Sequence, residues 1–186
     1  MRKLNLFAVE TADHLVQPAE FADSSLNTAA LDFVTDFKHN SPMMIDADTC
    51  AVEAEDMMKH EHSKLKLVID ANQEMIGLIS FDQLSIQNVL QRMGKGINRK
   101  ELTVADLMLP RSEVKALAYQ QLQHCSIGDV LHTLQSHGEQ YCLVIDTDSH
   151  HIRGLMSAAD IASRLHVPVH IEKAPTFLNI FDRVYA

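Results

Sequence analysis

Positive charge is scarce in this chain: 16 lysines and arginines stand against 25 acidic residues, a formal net charge of −9. A nucleic-acid binder needs a basic face to meet the phosphodiester backbone, so that balance opposes nucleic acid as a general partner. Cysteine is equally sparse. Cys50, Cys125 and Cys142 are the only three, and none forms a Cys-x-x-Cys pair. That excludes a disulfide framework and common zinc spacings, and it predicts reduced, mostly buried thiols. No apolar run approaches the length of a membrane span, and the opening MRKLNLFAVETADH turns acidic before the apolar centre of a secretory signal can develop. The expected location is the cytoplasm, with no membrane partner. Neither a Gly-x-Ser-x-Gly elbow nor a phosphate-binding loop is present. The eleven histidines are poorly spaced for a metal, since His60 and His62 face different directions on a helix and His150-His151 lie in a turn. The chain is therefore expected not to be an enzyme in isolation. At 186 residues and 46% hydrophobic content it can bury one sizeable core or two intimately packed halves.

What the chain does contain is one pattern written twice. Leu67-Val68-Ile69-Asp70 returns as Leu143-Val144-Ile145-Asp146, and Gly77-Leu78-Ile79-Ser80 returns as Gly154-Leu155-Met156-Ser157. The copies align at an offset of 76 from Cys50–Asp70 onto Ser126–Asp146, then at 77 from Gly77, one residue having been added between the second Asp and its Gly. Two short lead-in helices, Ala29–Val34 and Thr103–Met108, align at 74, so the repeat includes its linker.

Each copy reads as strand, helix, strand, strand, helix. In the first, Pro42–Ile45 is a short apolar run, Thr49–His62 carries Val52, Ala54, Met57 and Met58 at helical spacing, and Leu65–Ile69 and Met75–Ile79 are apolar runs on either side of a turn. A helical stripe from Ser80 to about Met93 ends at Gly94-Lys95-Gly96. In the second copy the corresponding spans are Val114–Tyr119, Ser126–His137, Tyr141–Ile145, Ile152–Met156 and Ser157–Leu165. Ser126-x-x-Asp129 predicts a capping box, whereas Cys50 at the equivalent position predicts a weaker cap.

This organisation resembles the CBS domain, named after cystathionine β-synthase, in the tandem form called a Bateman module. The resemblance spans roughly residues 28–165. It rests on the Thr103–Met108 lead-in, the paired LVID strands, and Gly154-Leu155-Met156-Ser157-Ala158-Ala159-Asp160, which is similar to the family's Gly-h-x-Thr/Ser-x-x-Asp signature. It implies an α/β (α+β) fold of two CBS-type strand-helix-strand-strand-helix repeats packed with pseudo-twofold symmetry. The implied division is an N-terminal extension over 1–27, a first repeat over 28–94, a linker over 95–102, a second repeat over 103–167 and an amphipathic tail over 168–186. It also implies a regulatory adenosyl ligand, AMP, ADP, ATP or S-adenosylmethionine, in a cleft between the repeats. In the family the Ser or Thr and the Asp hold the ribose and phosphate end.

Residue chemistry accommodates that role at Ser157 and Asp160. A strand ending just before a helix gathers unpaired amides and the positive end of the helix dipole at one point, and a carboxylate can accept hydrogen bonds from a vicinal diol. The competing account is equally specific, because Ser-x-x-Asp is itself a capping box. The spacing leaves both open; the resemblance favours the nucleotide. The first copy departs from the signature: Gln83 occupies the acid's place, with Asp82 one position early. A neutral amide still bonds a hydroxyl but without charge assistance, so Ser80 and Gln83 predict a weaker or empty site.

The resemblance also points to a basic residue six positions before the strand-ending Asp. The copies offer Lys64 and Gln140. Lys64 is the candidate, and Arg153 beside Gly154 is another on the same terms, although a lone cation beside a strand is usually solvated. Arg92, Lys95, Arg99 and Lys100 around the Gly-rich connector read as a polar linker. In the tail, Thr176 is a possible cap, and Phe177, Ile180, Phe181, Val184 and Tyr185 form an amphipathic stripe. The stripe packs on its own module or forms a dimer contact. The expected partners are a second copy, as a homodimer, and a separate regulated protein. The alternative is a ligand-free CBS scaffold acting in dimerisation or protein–protein interaction.

Overall fold

The computed structural model describes residues 24–85, 89, 99–134, 138, 140–167 and 176–185. In the first half, β2 (Met44–Asp46) leads through α1 (Ala51–His60) into β3 (Leu65–Ile69), which hairpins into β4 (Met75–Ser80). In the second, β6 (Ala116–Ala118) leads through the short α3 (Tyr119–Leu122) and α4 (Ile127–Leu134) into β7 (Tyr141–Asp146), β8 (His151–Ser157) and α5 (Ala158–Arg164). The helical crossover makes β2 parallel to β3 and β6 parallel to β7, in equivalent registers: Ile45 lies opposite Val68 and Leu117 opposite Val144. Each hairpin is antiparallel and carries the same register shift, after Val68 and after Val144.

The repeated Asp that closes each LVID strand folds its hairpin. Asp70 Oδ1 accepts from the Asn72 and Glu74 amides at 2.8 and 2.9 Å. Asp146 Oδ1 accepts from Gln120 Nε2 at 2.7 Å and from the Asp148 amide at 3.1 Å. These bonds favour the ionised carboxyls and lower both pKa values, through the Glu74 amide above all at Asp70 and through Gln120 at Asp146.

The fourth strand of each sheet is supplied by the other half. β1 (Thr35–Asp36), which follows a 3-10 turn over Ala30–Phe33, pairs with β8, with Asp36 opposite Gly154. β5 (Leu109–Pro110), which follows α2 (Val104–Leu107), pairs with β4, with Pro110 opposite Gly77. The strand orders are β2-β3-β4-β5 and β1-β8-β7-β6. Lone bridges Ala29 to Ser126 and Thr103 to Cys50 continue the same exchange. Every one of these pairs maps onto its counterpart at the offsets of the repeat, which is the pseudo-twofold relation.

The exchange explains the glycine of the signature. A Cβ on Gly154 would lie 2.7 Å from the Thr35 carbonyl oxygen, and one on Gly77 2.6 Å from that of Leu109. Only glycine permits the visiting strand to come this close.

Strand alternation then sorts the side chains into three apolar layers. Val68, Ile79, Met58 and Leu107 belong to the first core, and Val144, Met156, Ile127 and Ile161 to the second. Leu67, Met75, Leu78 and Leu143, facing the other way, form the layer where the two sheets meet. Ala30 and Phe33 from the first lead-in are buried in the second core, as are Phe177 and Ile180 of the tail helix α6 (Phe177–Tyr185). The tail therefore packs on its own module, capped by Thr176, whose amide donates to Asn179 Oδ1 at 3.1 Å.

Three elements differ from expectation. The strand expected over Val114–Tyr119 is only Ala116–Ala118, because the second copy has four more residues between this strand and its helix and they form α3, whose Leu122 is buried in the core. From Ser80 the described chain makes a 3-10 turn, Phe81–Leu84, rather than entering an α-helix at once, since the backbone turns extended at Ser85; most of the expected helix to Met93 lies outside the described residues. In the tail's apolar stripe Phe181 and Val184 pack half-buried on the second core beside Phe177 and Ile180, while Tyr185 is 49% exposed.

Candidate functional site

Five chain segments in the described residues begin a helix or turn with Ser or Thr and carry Asp, Gln or Asn three positions on. Four of them close on themselves. Asp129 Oδ2 accepts from the Ser126 amide at 2.8 Å and hydroxyl at 2.7 Å, as expected. Asp106 does the same at Thr103, at 2.8 and 3.0 Å, and Asn179 at Thr176. At Ser80, Gln83 Oε1 accepts from the amide at 2.8 Å and the hydroxyl at 3.0 Å, while its Nε2 donates to the Leu107 carbonyl of the visiting α2 at 3.3 Å. Both ends of Gln83 are thus committed to structure.

Ser157 is the exception. Its Oγ accepts from the Asp160 amide at 3.4 Å, but the Asp160 carboxylate does not fold back onto the serine, and it makes no hydrogen bond among the described residues. Asp160 is exposed. The capping-box account of Ser157-x-x-Asp160 is therefore only half realised.

Tyr141 lies opposite Ser157 across the β7–β8 ladder and packs in the layer between the sheets. Burial, and then the charges of Asp82 and Asp160, push its hydroxyl up to about pKa 12. One phenol thus feels a carboxylate from each half, and it stays protonated at neutral pH. The sequence carried one mark of it, a polar tyrosine where the first copy has Leu65.

The two expected cations lie in different settings. Lys64 is exposed, and its contribution to the junction is a backbone carbonyl that accepts from the Phe81 amide at 3.0 Å. Gln140 contributes likewise to Ala158 at 2.9 Å. Arg153 is engaged by Asp36 through Nε and Nη2, both at 2.7 Å, and stacks 4.5 Å from the Tyr119 ring centroid. The Arg153 bonds hold the Asp36 carboxyl down at about pKa 2. This pair straps β1 to β8 and corrects the reading of Arg153 as a phosphate partner. Lys100 is exposed and receives the Cys50 thiol on its carbonyl at 3.5 Å, in place of any side-chain cap by Cys50. Arg92 and Lys95 lie outside the described residues.

Two features escaped the sequence. Lys66, 4% exposed, forms an ion pair with Glu61 at 2.5 Å where the second half buries Cys142. Arg164, one turn beyond Asp160, lies 4.1 Å over the Phe33 ring and donates to the Asp32 carbonyl. Among the described residues no three His, Cys, Asp or Glu side chains are grouped to hold a metal ion, and no described helix is long and apolar enough to cross a membrane. Grooves of about 640 and 670 Å³ run along the outer faces of α1 and α4, away from both junctions.

Comparison with solved structures settles the architecture. A CBS-domain containing protein from Agrobacterium tumefaciens superposes with a TM-score of 0.55 at 17% identity, over 75% of this chain and 94% of its own. The CBS domain of a bacterial CNNM/CorC family Mg2+ transporter gives 0.55 at 13%, over 78% and 79%. The fold is that of a tandem CBS-domain pair. A hemolysin-like CBS-domain protein from Oenococcus oeni matches this pair at 0.53 and 16%, over 75% and 92%. No protein-family model and no curated protein matches the sequence. At these identities the likeness is one of fold.

Proposed function

We propose that this CBS pair is a non-catalytic regulatory module that holds an adenosyl ligand, AMP, ADP, ATP or S-adenosylmethionine, at the Ser157–Asp160 junction and signals its occupancy to a separate partner protein. The observation that carries the reading is the Asp160 carboxylate. Of the five chemically similar starts it alone is left out of its own cap and turned to solvent, as an acceptor for a ribose diol must be. Ser157 and the protonated Tyr141 beside it supply further hydroxyls. The first-half junction argues for one site rather than two, because Gln83 is spent on Ser80 and Leu107.

A second reading, a ligand-free scaffold, draws its support from that same closed junction. Thermal unfolding with each compound at millimolar concentration separates the two. A ligand at ten times its dissociation constant raises the transition of a chain this size by about 3 to 5 °C. The shift is expected in the wild type and in Gln83→Ala, and its loss in Asp160→Ala. A transition that none of the four compounds moves leaves the scaffold.

A further inference from the structure

The tail helix α6 lies against the outer side of α4. Phe181 faces His132 with ring centroids 6.0 Å apart, and the Tyr185 hydroxyl donates to the Gly128 carbonyl at 3.4 Å. At the repeat offset of 76, Gly128 and His132 correspond to Val52 and Asp56 on α1, and both of these line the groove of about 640 Å³. One half thus carries a helix on this flank, and among the described residues the other half presents an open groove there.

The groove follows α1 from Cys50 to Glu61, about 16 Å or three helical turns. Val52 and Met57 give it its apolar surface. Beside them Glu53 and Asp56 are exposed, and their side chains make no hydrogen bond or ion pair among the described residues. Glu61 is already engaged by Lys66, and Lys100 stands at the N-terminal end, its carbonyl accepting from the Cys50 thiol. Lys66 also donates to the Met44 carbonyl, which brings the edge strand β2 alongside. Met43, Met44 and Met57 are three of the five large apolar side chains exposed among the described residues, so exposed apolar surface is gathered on this flank. Methionines form an adaptable surface, and such patches mark contacts with other proteins.

We propose that this groove is the docking surface for a basic amphipathic helix of a separate protein, its apolar face on Val52 and Met57 and its lysines or arginines against Glu53 and Asp56. A second copy of this chain fits less well. Two such grooves face to face would oppose like charges. The tail of a second copy would not seat as α6 does either, because Val52 fills the room that Gly128 leaves for Tyr185, where an added Cβ would already lie 3.3 Å from the hydroxyl. The inference supplies a surface for the regulated partner but does not rest on the adenosyl site, and its test contains no adenosyl compound.

Fluorescence anisotropy of a labelled synthetic peptide of about 14 residues, leucine on one helical face and lysine on the other, tests this with the 186-residue chain. The lysine peptide is expected to bind about tenfold more tightly than one with glutamate in place of lysine. Met57→Ala should weaken its binding about tenfold and Asp56→Asn about threefold. Thr133→Lys, at the counterpart of Met57 on α4, changes the net charge by the same single unit as Asp56→Asn and should leave binding unaltered. That control separates the groove from a general attraction to an acidic chain. All three positions are exposed, so these substitutions leave folding intact. Equal binding of the two peptides, binding of neither, or an affinity that Met57→Ala and Asp56→Asn change no more than Thr133→Lys does, overturns the assignment. So does a chain that sediments as a dimer and is made monomeric by Met57→Ala, because a second copy then occupies the groove.

Discussion

The junction where a hairpin strand meets the following helix is built twice in this molecule and finished in two ways. At Ser80 the amide of Gln83 closes the cap and also reaches the visiting lead-in at Leu107. At Ser157 a carboxylate stands in the same place, stays out of the cap, and leaves contact with the visiting lead-in to Arg164. A neutral amide has a donor to give a carbonyl and a carboxylate has none. One exchange of Asp for Gln therefore converts an open junction into a strut. The comparison teaches that the duplicated scaffold, its parallel pairs, register shifts and exchanged strands, is kept in both halves, while the polar finish decides which half is available to a ligand.

The largest expected effect tests whether the exchange of strands is equally demanding in both halves. Gly77→Ala and Gly154→Ala each drive a methyl group into a backbone carbonyl, at 2.6 and 2.7 Å, and each should cost about 2 to 3 kcal/mol in urea unfolding. A large loss in one half only would break the symmetry argument.

Next comes a strap that is present in one half only. Asp36 has its carboxyl held at about pKa 2 by Arg153, below the ordinary carboxylate range. A depressed folded-state value contributes stability that is complete above about pH 4 and is lost as the pH falls toward 2. The pair is partly exposed, so screening reduces the contribution to about 1 kcal/mol. Asp36→Asn should lower stability at neutral pH by that amount and flatten the acid limb of the pH profile; an unchanged profile would show that the strap contributes nothing.

The smallest effect concerns the two first helices. Ser126 caps α4 with a complete box, whereas Cys50 gives α1 no side-chain cap. Ser126→Ala should cost about 1 kcal/mol, and Cys50→Ser should gain a few tenths by supplying the missing acceptor, both read from chemical denaturation.

How much of this was legible follows from how local each signal is. Leu65–Ile69 and Tyr141–Ile145 could be read as strands because apolar runs and a turn-forming Asp are neighbours in sequence, and their repetition carried the family resemblance that implies the pseudo-twofold fold. The amphipathic tail was readable for the same reason, although its periodicity did not say which surface Phe177 and Ile180 would meet. The exchange of β1 and β5 was not readable, since a lead-in's helical pattern carries no mark of the sheet it will join. Asp36 and Arg153 are 117 positions apart, and nothing near either residue announces the other. The α3 turn was hidden because Val114–Tyr119 has strand-forming residues and only the packing of Leu122 ends the strand early. At the site, Ser126-x-x-Asp129 and Ser157-x-x-Asp160 are the same pattern; only the folded geometry separates the closed box from the open one.

The most direct test is the stoichiometry of an adenosyl ligand measured by calorimetric titration of the wild type, Gln83→Ala and Asp160→Ala. The account predicts a single site per chain in the first two and none in the third. Two sites per wild-type chain, or binding that persists unchanged in Asp160→Ala, would contradict it.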